Sequence, residues 1–352
     1  MIRRIMPILF ALAAAGALLP ADARSQVVHA KGIDSLNVKA NVQVQFNTTS
    51  VDDEPSSEWL MRRARLGLRG WIAGWIRGDI EGDFGRGGAK LTDGYVTLAF
   101  SPAFTIRVGQ YKKPFDALEL ISSRQLLVAE REGTPRGADG PTPDGLVDDL
   151  GYSNRDIGVE WDGRSGRLGW AAGLWNGSGE NESEDDDGKQ VAGRLNVEVV
   201  PGWTVSGAWT GKRISEPPDA EDATWYDAVE LAVTGGEYAE PGWKALGQLM
   251  AGDNWDPDLG GGDDASFLAV QGIVGYHVPL FTTPWLIGVE PIVRLGWTDP
   301  DTDFDDDQAL LATPGVNLYF HEHVKTQVQA DFLSPGEGDS EVALRIHTVL
   351  EF

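Results

Sequence analysis

The stretch RRARLGLRG (62–70) is the densest run of positive charge in the chain beyond its leader-like start. Arg63, Arg65 and Arg69 fall on one parity, and Ala64, Leu66 and Leu68 on the other. Successive side chains of an extended strand point to opposite faces, so the three guanidinium groups form a column beside an apolar face. A guanidinium is always charged and presents a planar fork of donors, and a column of them can hand an anion from one to the next. Arg62 has the apolar parity and is expected to carry its charge to an interface on its long stem. Asp79, Glu81 and Asp83 share the polar parity of GWIRGDIEGDF (74–84), and the plainer alternative is that they pair with the arginines as ordinary polar lining. Lys39 and Arg107 have polar parity in their own runs and extend the basic set.

A second concentration lies between two strand-like runs, from Lys112 to about Asn154. Connections of this length in compact folds are usually functional. Residues 118–131 have helical spacing, with Leu120, Leu127 and Val128 apolar and Glu119, Arg124, Glu130 and Arg131 polar. Folded inward, such a loop would narrow a channel and bring Lys112, Lys113, Arg124 and Arg131 to its constriction.

Other chemistry is poorly supplied. There is no cysteine, which removes thiolate nucleophiles and iron–sulfur ligation, and the five histidines form no Ser/His/acid constellation. The acidic run DPDTDFDDD (299–307) has Phe304 where a calcium loop of the EF-hand kind needs glycine, and His321 and His323 flank a tight polar turn. No metal site and no cofactor is expected. A net charge of −25 argues against a nucleic-acid partner, because phosphate neutralisation needs clustered Lys and Arg.

The elements that must hold these residues follow from period-2 alternation along the whole chain. LNVKANVQVQF (36–46) puts Leu36, Val38, Ala40, Val42, Val44 and Phe46 on one face and amides and a lysine on the other. Sixteen such runs are expected, near 36–46, 60–70, 74–84, 91–100, 104–111, 155–162, 167–176, 189–199, 203–213, 224–235, 242–251, 266–277, 286–298, 309–320, 323–333 and 341–352. The alternation is least regular over 155–162, 242–251 and 266–277. Membrane-crossing strands need about 9–11 residues. Short links such as SPA (101–103) and HEH (321–323) alternate with long polar ones such as NGSGENESEDDDGK (176–189), the pattern of a transmembrane antiparallel β-barrel in an outer membrane. Closure also removes the unpaired edges that open sheets would present. The last run, EVALRIHTVLEF, ends on Phe352, which is expected in an aromatic girdle and as a signal for the barrel-assembly machinery.

Residues 1–23 combine Arg3 and Arg4, an apolar run too short for a spanning helix and an Ala21-Asp22-Ala23 cleavage pattern. They are expected to be a removed signal peptide that directs export through the periplasm. A short segment, 24–35, then precedes a single barrel domain, 36–352.

RRARLGLRG, DGYVTL, VGQYKKPF…SSR…AER, RDIGV, WNGSG and GVNLYFHEHVKTQVQADF, in this order across nearly the whole chain, resemble the phosphate-selective porins O and P. The resemblance implies homotrimers of sixteen-stranded channels with basic residues guiding anions. It matches Arg62 and Arg63 to the family's basic pair, Arg124 and Arg131 to basic positions of the constriction loop, and Asp93 to an acidic position beside it. Glu119 departs from that pattern, standing where a basic residue is expected. The expected function is passive diffusion of small anions, phosphate or polyphosphate, through a basic-lined constriction. The partners expected are outer-membrane lipid and lipopolysaccharide. A weakly selective or cation-preferring pore of the same fold is the alternative that the acidic balance favours.

Overall fold

The computed structural model describes residues 27–30, 33–51, 54–135, 138, 140–184, 188–214, 224–262, 264–336 and 338–352. The expected signal peptide lies outside the described residues. A short strand, β1 (Val27–Ala30), pairs with the start of β2 (Ile33–Val51), which is followed by β3 (Glu54–Ala73), β4 (Ile76–Asp83), β5 (Lys90–Ser101) and β6 (Phe104–Lys112). After the long connection come β7 (Arg155–Ser165), β8 (Leu168–Trp175), β9 (Gln190–Val200), β10 (Trp203–Ile214) and β11 (Thr224–Gly235). The chain finishes with β12 (Gly242–Asp253), β13 (Ser266–Pro279), β14 (Gly288–Asp299), β15 (Ala309–His321), β16 (Val324–Pro335) and β17 (Glu341–Glu351).

Each strand from β2 to β17 is antiparallel to the next, and β17 pairs with β2 from Val342↔Ser50 to Glu351↔Asn41. The result is a closed barrel of sixteen strands, as the alternation predicts, in which each strand from β2 to β17 is paired on both sides. Backbone bonds between Phe352 and Ala40 complete the last ladder, Phe352 N donating to Ala40 O at 2.9 Å.

The barrel inverts the polarity of a soluble fold. Asn41, Gln43, Gln45, Asn47 and Thr49 of β2 are buried, while Leu66, Leu68, Ile80, Val96 and Val108 on the outside are exposed. An outward apolar band around a polar interior suits hydrocarbon outside and water inside. Aromatic side chains rim the band. Phe46 and Trp59 lie 4.9 Å apart at the end with long loops; Trp75, Phe100 and Phe104 stack in series at the end with short turns, 5.6 and 5.7 Å between centroids.

The strands with blurred alternation have a physical reason for it. On β12 and β13 the lumen faces carry Leu246, Met250, Phe267, Ala269 and Ile273, all buried, opposite outward Leu249, Val270 and Val274. Both faces are apolar because the long loop packs against this wall from inside.

Candidate pore and constriction

The connection 113–154 runs through the lumen and not over the rim. Asp116 begins it, capping helix α1 (Ala117–Leu120) by accepting from Leu118 N and Glu119 N at 3.0 and 3.2 Å. Glu230 of β11 accepts from the backbone N–H of Asp116 and Ala117 at 2.9 and 2.7 Å, and Arg194 of β9 holds that carboxylate at 2.7 Å. The helix expected over 118–131 stops at Leu120. Beyond it the loop's carbonyls are taken by the wall: Lys325 donates to Leu126 O at 2.6 Å, Gln327 to Leu127 O at 2.9 Å, and Arg294 to the carbonyls of Glu130 and Arg131 at 3.1 and 2.5 Å. A backbone satisfied by side chains across the lumen has no need of its own helical ladder. Arg345 reaches Thr134 O at 2.8 Å, and a second helix, α2 (Pro143–Asp149), returns the chain to β7.

Asp116 and Asp144 staple the two helices together. Both are buried, and Gln248 of β12 donates to each, at 3.1 and 3.3 Å, while Gln271 of β13 donates to Asp144 at 2.7 Å. Burial, then the neighbouring carboxylates of Asp144 and Glu230, hold Asp116 well above the usual carboxylate range, and burial pushes Asp144 up to about 6. Free aspartates lose their proton near pH ~3.9, so the folded pair holds a proton that the unfolded chain has released. The stabilisation that Asp144 contributes to the loop is therefore lost as pH rises from about 4 through about 6. Open-channel current noise is expected to be larger at pH 8 than at pH 5, and Asp144→Asn to remove that difference. Equal noise at both values in the unmutated channel would contradict this.

Between the loop and β2–β7 two cavities remain. The first, about 390 Å³, lies toward the loop end and is lined by Arg62, Arg63, Arg65, Asp83, Glu119 and Arg131 among others. The second, about 200 Å³, lies toward the turns beside Lys39, Asn41, Glu81, Asp93, Lys112 and Arg124. Arg65 and Arg155 line both, so the two cavities meet there. Arg65 bonds Asp83 at 2.8 Å and stands 3.8 Å from Glu81; Arg155 bonds Asp93 at 2.9 Å. Glu119 lies between Arg131 and Lys112, at 2.8 and 3.0 Å, so the acid that departs from the expected basic pattern is matched by two cations. Although burial pushes it up, Arg131 and Lys112 hold Glu119 below its ordinary value.

The other sequence-derived residues lie elsewhere. Arg69 pairs with Asp79, which also accepts from Arg77, on the lumen wall outside both cavities. Arg107 is held by Glu160 at 3.2 Å over the rings of Tyr95 and Tyr111. Lys113 is not at the constriction. It is 2 % exposed and donates to Gly151 O and Gln190 Oε1, both at 2.8 Å, which makes it an anchor for the loop. Burial pushes its amine down to about 7. Arg124, by contrast, stays on the turn-side cavity and pairs with Glu351 at the end of the last strand.

Arg62 corrects the parity argument. Gln43 pairs with Arg63, but Val44 pairs with Met61, which leaves Arg62 as the extra residue of a β-bulge. The bulge turns Arg62 to the lumen side, where it grips Glu130 through two bonds of 2.5 and 2.8 Å. Burial raises the Glu130 carboxyl, but Arg62 and Arg63 hold it far below its usual range. The signal was present: outward residues have odd numbers at Trp59 and Met61 and even ones at Ala64, Leu66 and Leu68. Arg155 is outside the sequence-derived set. It opens the RDIGV run immediately after the long loop, where alternation alone gives it no special weight.

A closed barrel with an inward loop leaving a charged passage is the architecture of an outer-membrane porin. The family model for phosphate-selective porin O and P matches residues 36–236, more than half of the sequence, and the chain belongs to that family. An anion-selective porin from Comamonas acidovorans has a similar structure, with TM-score 0.68 and 15% identity over 90% of this chain and 99% of that one. The outer membrane channel DcaP of Acinetobacter baumannii gives 0.64 and 13%, over 94% and 100%. The trimer form of OmpT, an outer membrane protein of Vibrio cholerae, gives 0.59 and 10%, over 90% and 99%. A comparison with curated protein sequences finds no match.

Proposed function

We propose that this outer-membrane channel passes small anions, phosphate among them, by passive diffusion as a homotrimer. One observation carries the reading: the smaller, turn-side cavity is lined by five basic residues and two acidic ones. Low-dielectric walls focus the field of lining charges, whereas acidic loops facing bulk water are screened within about 8–10 Å. The surplus of basic over acidic residues in the turn-side cavity therefore outweighs the larger deficit outside. Lys39, Arg65, Lys112, Arg124 and Arg155 form the anion path there, with Arg62, Arg63 and Arg131 leading into it. Arg69 and Arg107 extend the basic wall toward the turns, and Asp79, Glu81, Asp83 and Asp93 hold the guanidinium groups in place. The likeness to a protein described as anion-selective and to a trimeric neighbour points the same way. Inorganic phosphate added to a chloride solution should slow the chloride current, and a current unchanged by millimolar phosphate would remove phosphate from the reading.

The weakly selective alternative has its own support, because the loop-end cavity carries eight acidic residues against seven basic ones. Phe352 is assigned to assembly, through its side chain in the turn-end girdle and recognition by the barrel-assembly machinery. Phe352→Asp is expected to lower the amount of heat-modifiable barrel in the outer membrane severalfold; unchanged levels would count against that role.

A further inference from the structure

A third cavity of about 260 Å³ lies on the other side of the inward loop, toward the turns between β10 and β13. The loop segment 118–127 is the partition. Leu120, Ser122, Ser123 and Arg124 face the basic turn-side cavity, and Leu118, Ile121, Gln125 and Leu127 face the third one. The barrel wall opposite continues the contrast, contributing Leu246, Ile273 and the ring of Tyr238. Leu118, Leu246 and Ile273 are buried in the packing of loop on wall, while Ile121, Leu127 and Tyr238 keep part of their surface open to the lumen, and a partly apolar wall of this kind favours a solute that can cover it.

One charged side chain lines this cavity, Lys244. Its ammonium donates to Glu240 O at 2.8 Å and stands 2.8 Å from Glu290 Oε1. An ammonium has three N–H donors, so one remains. Among the described residues the Tyr238 hydroxyl and the Gln125 side-chain amide make no hydrogen bond and add polar contacts at the rim. Size restricts the solute further. An apolar cavity of about 150 Å³ holds a benzene molecule, so about 260 Å³ admits one ring with its polar substituent and little more.

We propose that this cavity is a resting site for organic monocarboxylates bearing one aromatic ring. The ring lies among Leu118, Ile121, Leu246, Ile273 and Tyr238, and the carboxylate accepts from the free N–H of Lys244. The proposal rests on the anion-path reading, since the solute shares the lumen with the inorganic anions. It adds that the channel distinguishes anions by their apolar bodies, by means of a compartment separate from the arginines.

Single-channel recordings on the purified full-length protein test it, with benzoate and acetate as probes at equal concentration and ionic strength. Benzoate is expected to interrupt the current more strongly than acetate. In Ile121→Asn/Tyr238→Ser, whose altered side chains carry no anchoring hydrogen bond, benzoate block should weaken about 3- to 10-fold while acetate is unaffected. Tyr238→Phe, which keeps the ring, should retain the block and guards against a variant that inserts poorly. Benzoate blocking no better than acetate in the unmutated channel, or equally in the double variant, would overturn the proposal. The reversal potential in a potassium chloride gradient, measured on the same channels, tests the anion path separately. A cation-preferring channel with intact, Tyr238-dependent benzoate block would sink that reading and leave this site standing.

Discussion

Arg65→Gln/Arg155→Gln is expected to turn an anion-preferring channel into a cation-preferring one. These two residues line both cavities, so each substitution removes charge from the whole passage. The turn-side cavity falls from five basic residues to three, against two acids, and the loop-end cavity from seven to five, against eight. Their carboxylate partners are also released: Asp83 and Glu81 lose Arg65, and Asp93 loses Arg155. The double substitution therefore exposes acidic oxygens that the native pairs neutralise. The reversal potential under a salt gradient should change sign. Retention of the original sign and size would mean that selectivity is set outside the junction of the cavities.

The second large effect concerns the loop itself. Arg294 is fully buried on β14 and is bonded to Asp331 and Thr313 as well as to the carbonyls of Glu130 and Arg131. The loop is shaped for it. Gly133 has φ +77, and a Cβ there would collide with the Arg294 guanidinium. Arg294→Met removes the donors to both carbonyls and leaves Asp331 with Arg345 as its remaining basic partner. Because Arg345 still neutralises Asp331, the cost is that of leaving buried carbonyls unsatisfied, roughly 1–3 kcal/mol each. The middle of the loop should leave the wall, raising both conductance and current noise and lowering the temperature at which the barrel unfolds in detergent. Conductance and unfolding temperature equal to those of the unmutated protein would show that the remaining anchors suffice without Arg294.

How far the sequence revealed this depends on which interactions are local. Alternation and turn chemistry act within a strand and its neighbour, and all sixteen strands are where alternation predicts them, including the three irregular ones. The loop's conformation depends on contacts between residues more than a hundred positions apart, such as Arg294 with Glu130 and Arg131. No local pattern encodes these contacts, and the helical spacing of 118–131 suggested a longer helix than forms. Arg63 and Arg65 follow the parity to the cavity lining, whereas at Arg62 a bulge inserts one residue and resets the alternation. Lys112 and Lys113 are adjacent in sequence, yet the strand ends between them and their side chains part, one to the passage and one beneath the loop. Basic residues of the second half, including Lys325 and Arg345, carry no local sign of their hold on the loop, because the loop groups they bond are carbonyls, which the sequence does not show.

The few charges that line the turn-side cavity are expected to outweigh the net charge of −25. The most direct test is the reversal potential of the purified, unmutated channel in a planar bilayer under a tenfold potassium chloride gradient. A perfectly selective pore would give about 59 mV. The structure predicts a potential with the sign of chloride preference and a size well below that limit, because acidic side chains pair with most of the lining cations. A potential with the sign of potassium preference at moderate salt would contradict the account.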